Sequence, residues 1–406
     1  MPGEFDRTFW LSREPSETFE YCQALFPEFG IASVADMTGF DRTGLPVTFV
    51  TRPNSCSQTI QQGKGLTIEA AITSGVMEAV ELFHAENVSL ATETCSGTDI
   101  CRTGGRIAWD LLPKLSGTGL TADTCVVWTQ AAVFGSGEPV WVPFEMVHAD
   151  FSLPFCEHAG YFPCTSTGLA AGNTLNEAVM HGICEVIERD AATLFAMKPV
   201  SSQTSRAINL ATIHNPTIQR CIEKIENAEL LLGVWDMTTD VGVPAVVARI
   251  CDPAGHRGGK VITGGGEGCH PLRETAVLRA ITEAAQSRVK HLTGMEVEQA
   301  SAHPLTLDDL PMARPGDSFP GDGPSRNFQS LPDLSFTSLD EVLRWLVSRL
   351  GKFSACVVDL SKPEFDVSVV RVIVPGLEDG IGTPGYSAGL RATAALENGL
   401  QTTDHP

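Results

Sequence analysis

The chain has 406 residues, of which 43% are hydrophobic and 19% charged, so it can bury one large core or two to three smaller ones. Its formal net charge of -21, from 28 Lys and Arg against 49 Asp and Glu, disfavours nucleic acid and anionic membranes as partners. A small anion could still bind where a divalent metal ion supplies the positive charge.

The N-terminal sequence MPGEFDRTFWLSREP lacks the basic segment and apolar run of a signal peptide. No run of about 18 apolar residues, the length of a membrane span, occurs in the chain. These features predict a cytoplasmic protein. The 12 cysteines form no C-x-x-C pair, which argues against a zinc ribbon or a redox motif. Most are predicted to be buried thiols, and Cys184 to be part of the core packing.

Hydrophobic periodicity predicts strands and helices that alternate along the chain. Strands are predicted over residues 45–53, 228–239, 243–252 and 365–378, with a hairpin formed by 124–134 and 139–147. Helices are predicted over residues 67–90, 173–197, 272–292 and 339–350. The Gly-rich GGGEGCHP (264–271) leads into the third of these helices. The order of elements predicts a mixed α/β fold.

The first long helix carries an acidic stripe on an otherwise apolar surface. At about 100° per residue, Ser74, Glu78 and Glu81 fall within a narrow arc. No Lys or Arg follows either glutamate at i+3 or i+4, so neither carboxylate has a local partner. A solvated surface is the alternative interpretation, as for any amphipathic helix.

The second and third long helices repeat this pattern. On the second helix, an arc of roughly 120° contains five polar residues. They are Asn173, Glu177, His181, Glu185 and Glu188. On the third helix, Arg279, Glu283 and Gln286 share one face, whereas Arg288 lies close to the opposite side.

Clustered carboxylates repel one another unless a cation compensates them, and hard oxygen ligands suit Mg²⁺. A triphosphate is the usual cargo of a carboxylate site that holds Mg²⁺. The chain contains neither a Walker loop nor a Rossmann G-x-G-x-x-G that opens a helix after a strand. Nucleotide binding would therefore use another kind of site.

Four ordered segments resemble the signature segments of the YcaO family. They are GKGLTIEAAITSGVMEAVELFHAE, GLAAGNTLNEAVMHGICEVIERDA, HPLRETAVLRAITEAAQSR and VVRVIVPGLE. The earlier segment GIASVADMTGFDRTGLPVTFVTRPNS resembles that of family members that work with a TfuA protein. The resemblance covers roughly residues 30 to 380. It implies a YcaO-type fold, in which mixed sheets pack with long helices that carry the site for ATP and Mg²⁺.

The resemblance also implies an ATP-dependent enzyme that activates a peptide backbone amide. In this family the amide oxygen receives the γ-phosphoryl group, and loss of phosphate leaves an azoline, a thioamide or an amidine. Phosphorylation makes chemical sense, because it converts a poor leaving group into a good one. Catalysis of this kind is mostly positioning and charge neutralisation.

Residue roles follow from the matching positions. The resemblance implies that two glutamates from each of the first two long helices bind Mg²⁺: Glu78, Glu81, Glu185 and Glu188. It implies that the nucleotide is contacted by Ser74, Asn173, Glu177 and Arg189, by Arg279 with Glu283, and through its phosphates by Lys64. The four Mg²⁺ ligands and Arg189 are the predicted catalytic residues. His181 and Gln286 lie on the right faces for contact or for a supporting polar role, whereas Arg288 is not assigned to the site.

Three features depart from the family pattern. Thr167 stands where an Asn is expected, and HPLRE (270–274) replaces a more usual HPDP-like stretch. The C-terminal QTTDHP lacks the Pro-rich tail of azoline-forming members, which favours another product. The resemblance places a catalytic domain at residues 31–390, with 303–335 as a loop or linker-like excursion, between an N-terminal extension (1–30) and a C-terminal tail (391–406).

The leading hypothesis is thioamide formation on a precursor peptide or protein, with a TfuA-like partner and a sulfide donor. A partner is expected because 30 N-terminal residues are too few for a leader-binding domain. The first alternative is an azoline-forming cyclodehydratase that acts on Cys, Ser or Thr. The second, of another class, is a non-catalytic scaffold subunit. A di-iron bundle is weaker, because its Glu-x-x-His pairs are represented only by Glu177 and His181 at i+4. The resemblance also implies a homodimer.

Overall fold

The computed structural model describes residues 11–152, 157–253, 262–294, 325–334, 336–379 and 385–401. Its helices are α1 (Pro15–Gln23), α2 (Phe26–Phe29), α3 (Ile68–Glu86), α4 (Gly97–Ile100), α5 (Leu175–Ala196), α6 (Val200–Thr204), α7 (Pro216–Asn227), α8 (Arg273–Thr293), α9 (Leu339–Leu350) and α10 (Leu390–Gln401). Its strands up to the middle of the chain are β1 (Ser33–Asp36), β2 (Val47–Thr51), β3 (Ile60–Lys64), β4 (Thr92–Ser96), β5 (Gly105–Arg106), β6 (Lys114–Leu115), β7 (Cys125–Val133), β8 (Pro139–Pro143) and β9 (Leu169–Gly172). The later strands are β10 (Ile208–Asn209), β11 (Leu231–Asp236), β12 (Ala245–Cys251), β13 (Thr263–Cys269), β14 (Arg326–Asn327), β15 (Cys356–Asp359), β16 (Ser368–Ile373) and β17 (Tyr386–Ser387).

The predicted mixed α/β fold is confirmed. All four predicted helices are present as α3, α5, α8 and α9, and the predicted strands as β2, β11, β12 and β16. The predicted hairpin is the antiparallel pair of β7 and β8. Among the strands that were not predicted are β3, β9 and β13, which are short or rich in glycine; the GGGEGC segment, to which no element was assigned, forms most of β13.

Three larger sheets form the scaffold. The first is an antiparallel meander of β1, β2 and β3, and the second is an antiparallel meander of β11, β12 and β13. The third has the strand order β5-β8-β7-β15-β16-β9, and β4 also pairs with β7. Helix α3 packs on β3, α5 on β9 and β16, and α8 on β13. Each long helix predicted to carry polar site residues thus lies on a sheet of its own.

Helix α8 lies unusually close to β13 because alternate residues of this strand are glycines. A Cβ atom at Gly264, Gly266 or Gly268 would collide with a backbone carbonyl oxygen of α8. Helices normally pack about 8–10 Å from their neighbours, with side chains between them. Here the strand backbone touches the helix backbone directly, so the position of β13 relative to α8 is fixed.

The apolar faces of the helices form the core. Helix α5 buries Ile183, Val186 and Ile187 in a cluster that also contains Trp235 and Leu346. Helix α3 contributes to a second cluster, and α8 packs with β11 and β12 in a third. Of the 11 cysteines in the described ranges, most are buried, as predicted: Cys22, Cys184, Cys221, Cys251, Cys269 and Cys356. Cys184 belongs to the first cluster, in agreement with its predicted packing role.

Part of the predicted excursion at 303–335 packs against the rest of the fold. Within its described portion, Phe328 and Leu331 are buried, and β14 pairs in parallel with β10. Residues 303–324 and 335 lie outside the described residues. Among the described helices, none combines the length and the apolar character needed to cross a lipid bilayer.

Both ends of the described chain are held by specific contacts. Helix α1 packs on α3, where the Thr73 hydroxyl donates to the carbonyl of Pro15 at 2.8 Å. At the other end, Arg391 at the start of α10 makes two hydrogen bonds of 2.9 Å to the carboxylate of Asp190, which is fully buried on α5. The terminal helix is thereby attached to the middle of the fold.

The close packing of α8 on β13 leads to a stability test. We expect Gly266→Ala to lower the free energy of unfolding by about 1–3 kcal/mol or more, because the new methyl group meets helix backbone that cannot move aside. Thermal unfolding measures the effect as a lower Tm. Gly39→Ala is the matched control, since a Cβ at Gly39 meets nothing within 4 Å. Equal Tm values for the two variants would contradict the contact.

Candidate functional site

A cavity of about 1420 Å³ opens between α3, α5 and α8. Every side chain that the sequence assigned to a site lines it: Lys64, Ser74, Glu78, Glu81, Asn173, Glu177, Glu185, Glu188, Arg189, Arg279 and Glu283. His181 and Gln286 line it too. Small-molecule sites usually measure about 300–1,000 Å³, so this cavity has room for a nucleotide and part of a second substrate.

Backbone N–H groups hold the two glutamates of α3. Glu78 accepts through Oε2 from the N–H of Gln62 on β3 at 3.2 Å. Glu81 accepts through Oε1 from the N–H of Ala171 on β9 at 2.7 Å. In each carboxylate the second oxygen accepts no hydrogen bond from a described residue.

The two glutamates of α5 are held in the same way. Glu185 accepts through Oε2 from the N–H of Gly168 at 3.2 Å, and Glu188 accepts through Oε2 from the N–H of Cys269 at 2.8 Å. All four carboxylates therefore have one oxygen fixed by the backbone. The other oxygen of each is open within the described part of the chain, which orients it for a ligand in the cavity.

Burial and mutual repulsion raise the pKa values of these four carboxyl groups. Burial raises the pKa of Glu78 and of Glu185 to about 7, and the pKa of Glu81 well above its ordinary value. Burial also raises the pKa of Glu188, and neighbouring carboxylates add to the rise in all four groups. A charge that is costly to bury alone becomes favourable when a cation binds beside it.

Three cationic side chains face these carboxylates. Lys64 on β3 forms an ion pair with Glu283 on α8. Burial alone would raise the pKa of Glu283, but the Lys64 ammonium lowers it below its ordinary value. Arg279 lies 3.1 Å from Nε2 of His181. Burial and the Arg279 charge lower the pKa of His181 to about 3, so His181 is neutral and accepts this hydrogen bond through Nε2.

Arg189 has a partner that the sequence reasoning missed. Its Nη1 donates to Oε2 of Glu267 on β13 at 2.7 Å, and this pair is the shortest ionic contact of Arg189. Burial disfavours the Arg189 charge, but Glu267, Glu188 and Glu185 outweigh burial and raise the pKa of the guanidinium well above its ordinary range. The sequence feature that could have indicated this partner is Glu267, the single charged residue in the glycine-rich segment GGGEGC.

Two of the residues assigned to nucleotide contact, Glu177 and Asn173, already make hydrogen bonds within the protein. Both oxygens of Glu177 accept backbone hydrogen bonds, from Ser12 at 2.7 Å and from Asn173 at 3.0 Å. The hydroxyl of Thr18 donates to Oδ1 of Asn173 at 3.0 Å, which turns the Asn173 amide nitrogen away from α1. Glu177 therefore joins the N-terminal segment to α5. If Glu177 also contacts the nucleotide, as predicted, it does so while its two oxygens hold these backbone groups.

Two further sequence features have a structural explanation. Arg288 is buried outside the cavity, where it donates two hydrogen bonds of 3.0 Å to Asp41. Thr167 donates its hydroxyl to Asp379 at 2.9 Å. It lies beside Gly168, whose N–H anchors Glu185. A hydroxyl thus fixes the turn at the position where the family pattern has an amide.

The polar groups of the cavity are compatible with Mg²⁺ that is bound together with phosphate. Among the described residues, no group of three or more His, Cys, Asp or Glu side chains is arranged to hold a metal ion by itself. Mg²⁺ is usually bound through one or two carboxylates, with water and substrate phosphates as its other ligands. The cavity offers four carboxylates as possible metal ligands, and Lys64, Arg189 and Arg279 as possible partners for phosphate.

The chain thus combines a mixed α/β fold with a large polar cavity that is lined by four glutamates and three cationic side chains. A family model described as YcaO cyclodehydratase, ATP- and Mg²⁺-binding, matches residues 62–378. The chain belongs to the YcaO family, whose members are ATP-dependent enzymes that modify peptides, and it binds ATP and Mg²⁺ as that family does.

One relative and two solved structures are similar to the chain. The chain is 36% identical over 393 residues to an uncharacterized protein in the tfuA 3′ region of Rhizobium leguminosarum bv. trifolii, covering 94% of this chain and 92% of the relative. The YcaO structure from Methanopyrus kandleri bound with AMPPCP and Mg²⁺ matches with a TM-score of 0.68 and 23% identity over 92% of this chain and 94% of that one. A heterocyclase in complex with substrate and cofactor matches with a TM-score of 0.72 and 20% identity over 91% of this chain. This chain spans 53% of the heterocyclase, about half its length.

The open carboxylates lead to a metal-dependent stability test. We expect Glu81→Gln to raise the stability of the protein without ligands by about 1–3 kcal/mol, because it removes a carboxyl group whose charged form is disfavoured at this position, while Gln still accepts from Ala171. Addition of Mg²⁺ with β,γ-methylene-ATP should then stabilise the variant less than the unsubstituted protein, which gains about 2.7 kcal/mol at a hundredfold excess over the dissociation constant. Thermal unfolding with and without the ligands measures both effects, and equal ligand-induced shifts would contradict a role for Glu81 in metal binding.

Proposed function

We propose that the protein activates a backbone amide of a peptide or protein in an ATP-dependent reaction and that its product is a thioamide, formed with a TfuA-like partner and a sulfide donor. The observation that carries the proposal is the set of four glutamates with one backbone-anchored and one open oxygen each. Such carboxylates suit a site that gains Mg²⁺ and a polyphosphate together.

The proposed roles follow from where each side chain lies. When bound, ATP with Mg²⁺ supplies the phosphoryl group that makes the amide oxygen a leaving group. In our proposal the open oxygens of Glu78, Glu81, Glu185 and Glu188 bind Mg²⁺. Lys64, Arg189 and Arg279 bind phosphate oxygens, and Ser74, Asn173, Glu177 and Glu283 orient the rest of the nucleotide. The cavity walls partly shield the carboxylates from bulk water, which strengthens these charge interactions.

The choice of a thioamide rests on the relative in the tfuA 3′ region, which aligns with 94% of this chain. The second candidate product is an azoline, formed from a Cys, Ser or Thr of the substrate. The description of the matching family as cyclodehydratase and the fold shared with a heterocyclase favour that alternative. Both reactions would use the same ATP site, so site residues alone do not separate them.

Mass spectrometry separates the two products. We expect a peptide co-expressed with this protein and a TfuA-like partner to gain the mass difference between one sulfur and one oxygen. An azoline would instead appear as the loss of one water. The informative control omits the partner, because we expect the sulfur-containing product to depend on it. The homodimer that the family resemblance implies stays a prediction, which size-exclusion chromatography with light scattering tests.

A charge-neutral substitution tests the metal site directly. We expect Glu188→Gln to abolish or severely reduce nucleotide turnover, because it removes a ligand charge with little change of volume. The residue is only 3% exposed, and Gln can still accept from the N–H of Cys269, so the fold should be retained. Phosphate release measures turnover, and circular dichroism checks the fold. Unchanged turnover in a folded variant would exclude Glu188 from the metal site.

A further inference from the structure

Arg189 lies among three carboxylates that compete for it. Its Nη1 donates to Oε2 of Glu267 at 2.7 Å. Its Nη2 lies 3.9 Å from Oε1 of Glu185 and 4.0 Å from Oε1 of Glu188. Only the first distance is that of a hydrogen bond. The guanidinium is therefore held by Glu267 and stands off from the other two carboxylates.

The two oxygens that Arg189 nearly reaches are the ones that the backbone leaves open. Glu185 and Glu188 each use Oε2 to accept an N–H, from Gly168 and from Cys269. Oε1 of each is thus the oxygen available to a metal ion. A hydrogen bond from Arg189 to either Oε1 would occupy it and neutralise its charge. The position of Arg189 decides whether these oxygens are available.

Glu267 is well placed to fix that position. Its side chain is 2% exposed, and its Oε1 has no hydrogen-bond partner among the described residues. Its neighbours Gly266 and Gly268 touch the backbone of α8, so the strand that carries Glu267 cannot shift. A carboxylate on such a strand is a stationary counter-charge, whereas the Arg189 side chain is 35% exposed to the cavity and has space to move.

We propose that Glu267 is a positioning residue, which holds Arg189 away from the open oxygens of Glu185 and Glu188 and so keeps those oxygens available to Mg²⁺. The inference rests on the proposed function, since it assigns Mg²⁺ to these two glutamates. Without the charge of Glu267, Arg189 keeps two carboxylate neighbours within 4.0 Å and moves onto them. Mg²⁺ must then displace a guanidinium before it binds.

A double-substitution experiment tests this role without an activity assay. Calorimetric titration of MgCl₂ into protein saturated with β,γ-methylene-ATP measures the dissociation constant of Mg²⁺. We expect Glu267→Gln, which removes the charge at constant size, to raise that constant about 10-fold or more, as loss of metal-supporting contacts does. In an Arg189→Gln background the same substitution should change it by no more than about twofold, because no guanidinium remains to move.

Two further variants control the experiment. Glu86→Gln removes a comparably buried carboxylate from an Arg–Glu pair outside the cavity, where Glu86 lies 2.7 Å from Arg52. It should lower Tm and leave the Mg²⁺ constant unchanged. Glu267→Asp keeps a buried charge but shortens the side chain, so its constant should lie between those of the unsubstituted protein and Glu267→Gln. This variant carries the test if Glu267→Gln does not fold.

The outcomes separate the possible roles of Glu267. Equal losses of Mg²⁺ affinity in both backgrounds would make Glu267 a metal ligand or a structural residue and would overturn the positioning role. An unchanged constant in a folded Glu267→Gln would overturn it as well. If the unsubstituted protein bound no Mg²⁺ with the nucleotide analogue, the proposed function itself would fail.

Discussion

The fold depends on hydrogen bonds that polar side chains of the long helices make to strands of neighbouring sheets. Glu81 of α3 accepts from Ala171 on β9, Glu188 of α5 accepts from Cys269 on β13, and Gln286 of α8 donates to Gln62 on β3. Each helix packs on one sheet and forms a side-chain hydrogen bond to a strand of a different sheet. Since a buried backbone N–H or C=O group needs a partner, these side chains provide hydrogen-bond partners for the strands and also receive a fixed orientation from them. The cavity is the space that this closed arrangement leaves, which is why polar residues that fix the fold also line its wall.

The long helices and their acidic stripes were predictable because they follow from the local periodicity of the sequence. The stripe of Glu78 and Glu81 and the stripe of Glu185 and Glu188 follow from the pitch of a helix, which a short segment defines by itself. Their convergence on one cavity did not follow from periodicity; the family resemblance implied it, and it agrees with the cavity lining. The metal and nucleotide roles remain proposals.

The parts that the sequence did not reveal depend on contacts between distant segments. Strand β13 escaped prediction because four of its seven residues are glycines, which disfavour strands unless another backbone approaches closely. Glu267 could not be assigned without knowing that β13 lies opposite α5. The pairing of Glu177 with the N–H of Ser12 joins residues 165 positions apart, and no local pattern encodes it. Backbone donors carry no sequence signature, so the anchoring of the carboxylates was invisible in the same way.

The attachment of α10 gives the far end of the chain an influence on the cavity. Asp190 follows Arg189 directly on α5, and Arg391 is the cation that offsets its buried charge. If a cut or an added tag pulled α10 away, an uncompensated anion would remain inside the helix that carries Glu185 and Glu188. Loss of the C-terminal helix would then lower turnover without any change to the residues of the cavity. Preparations should therefore be checked for an intact α10 before weak turnover is assigned to the site.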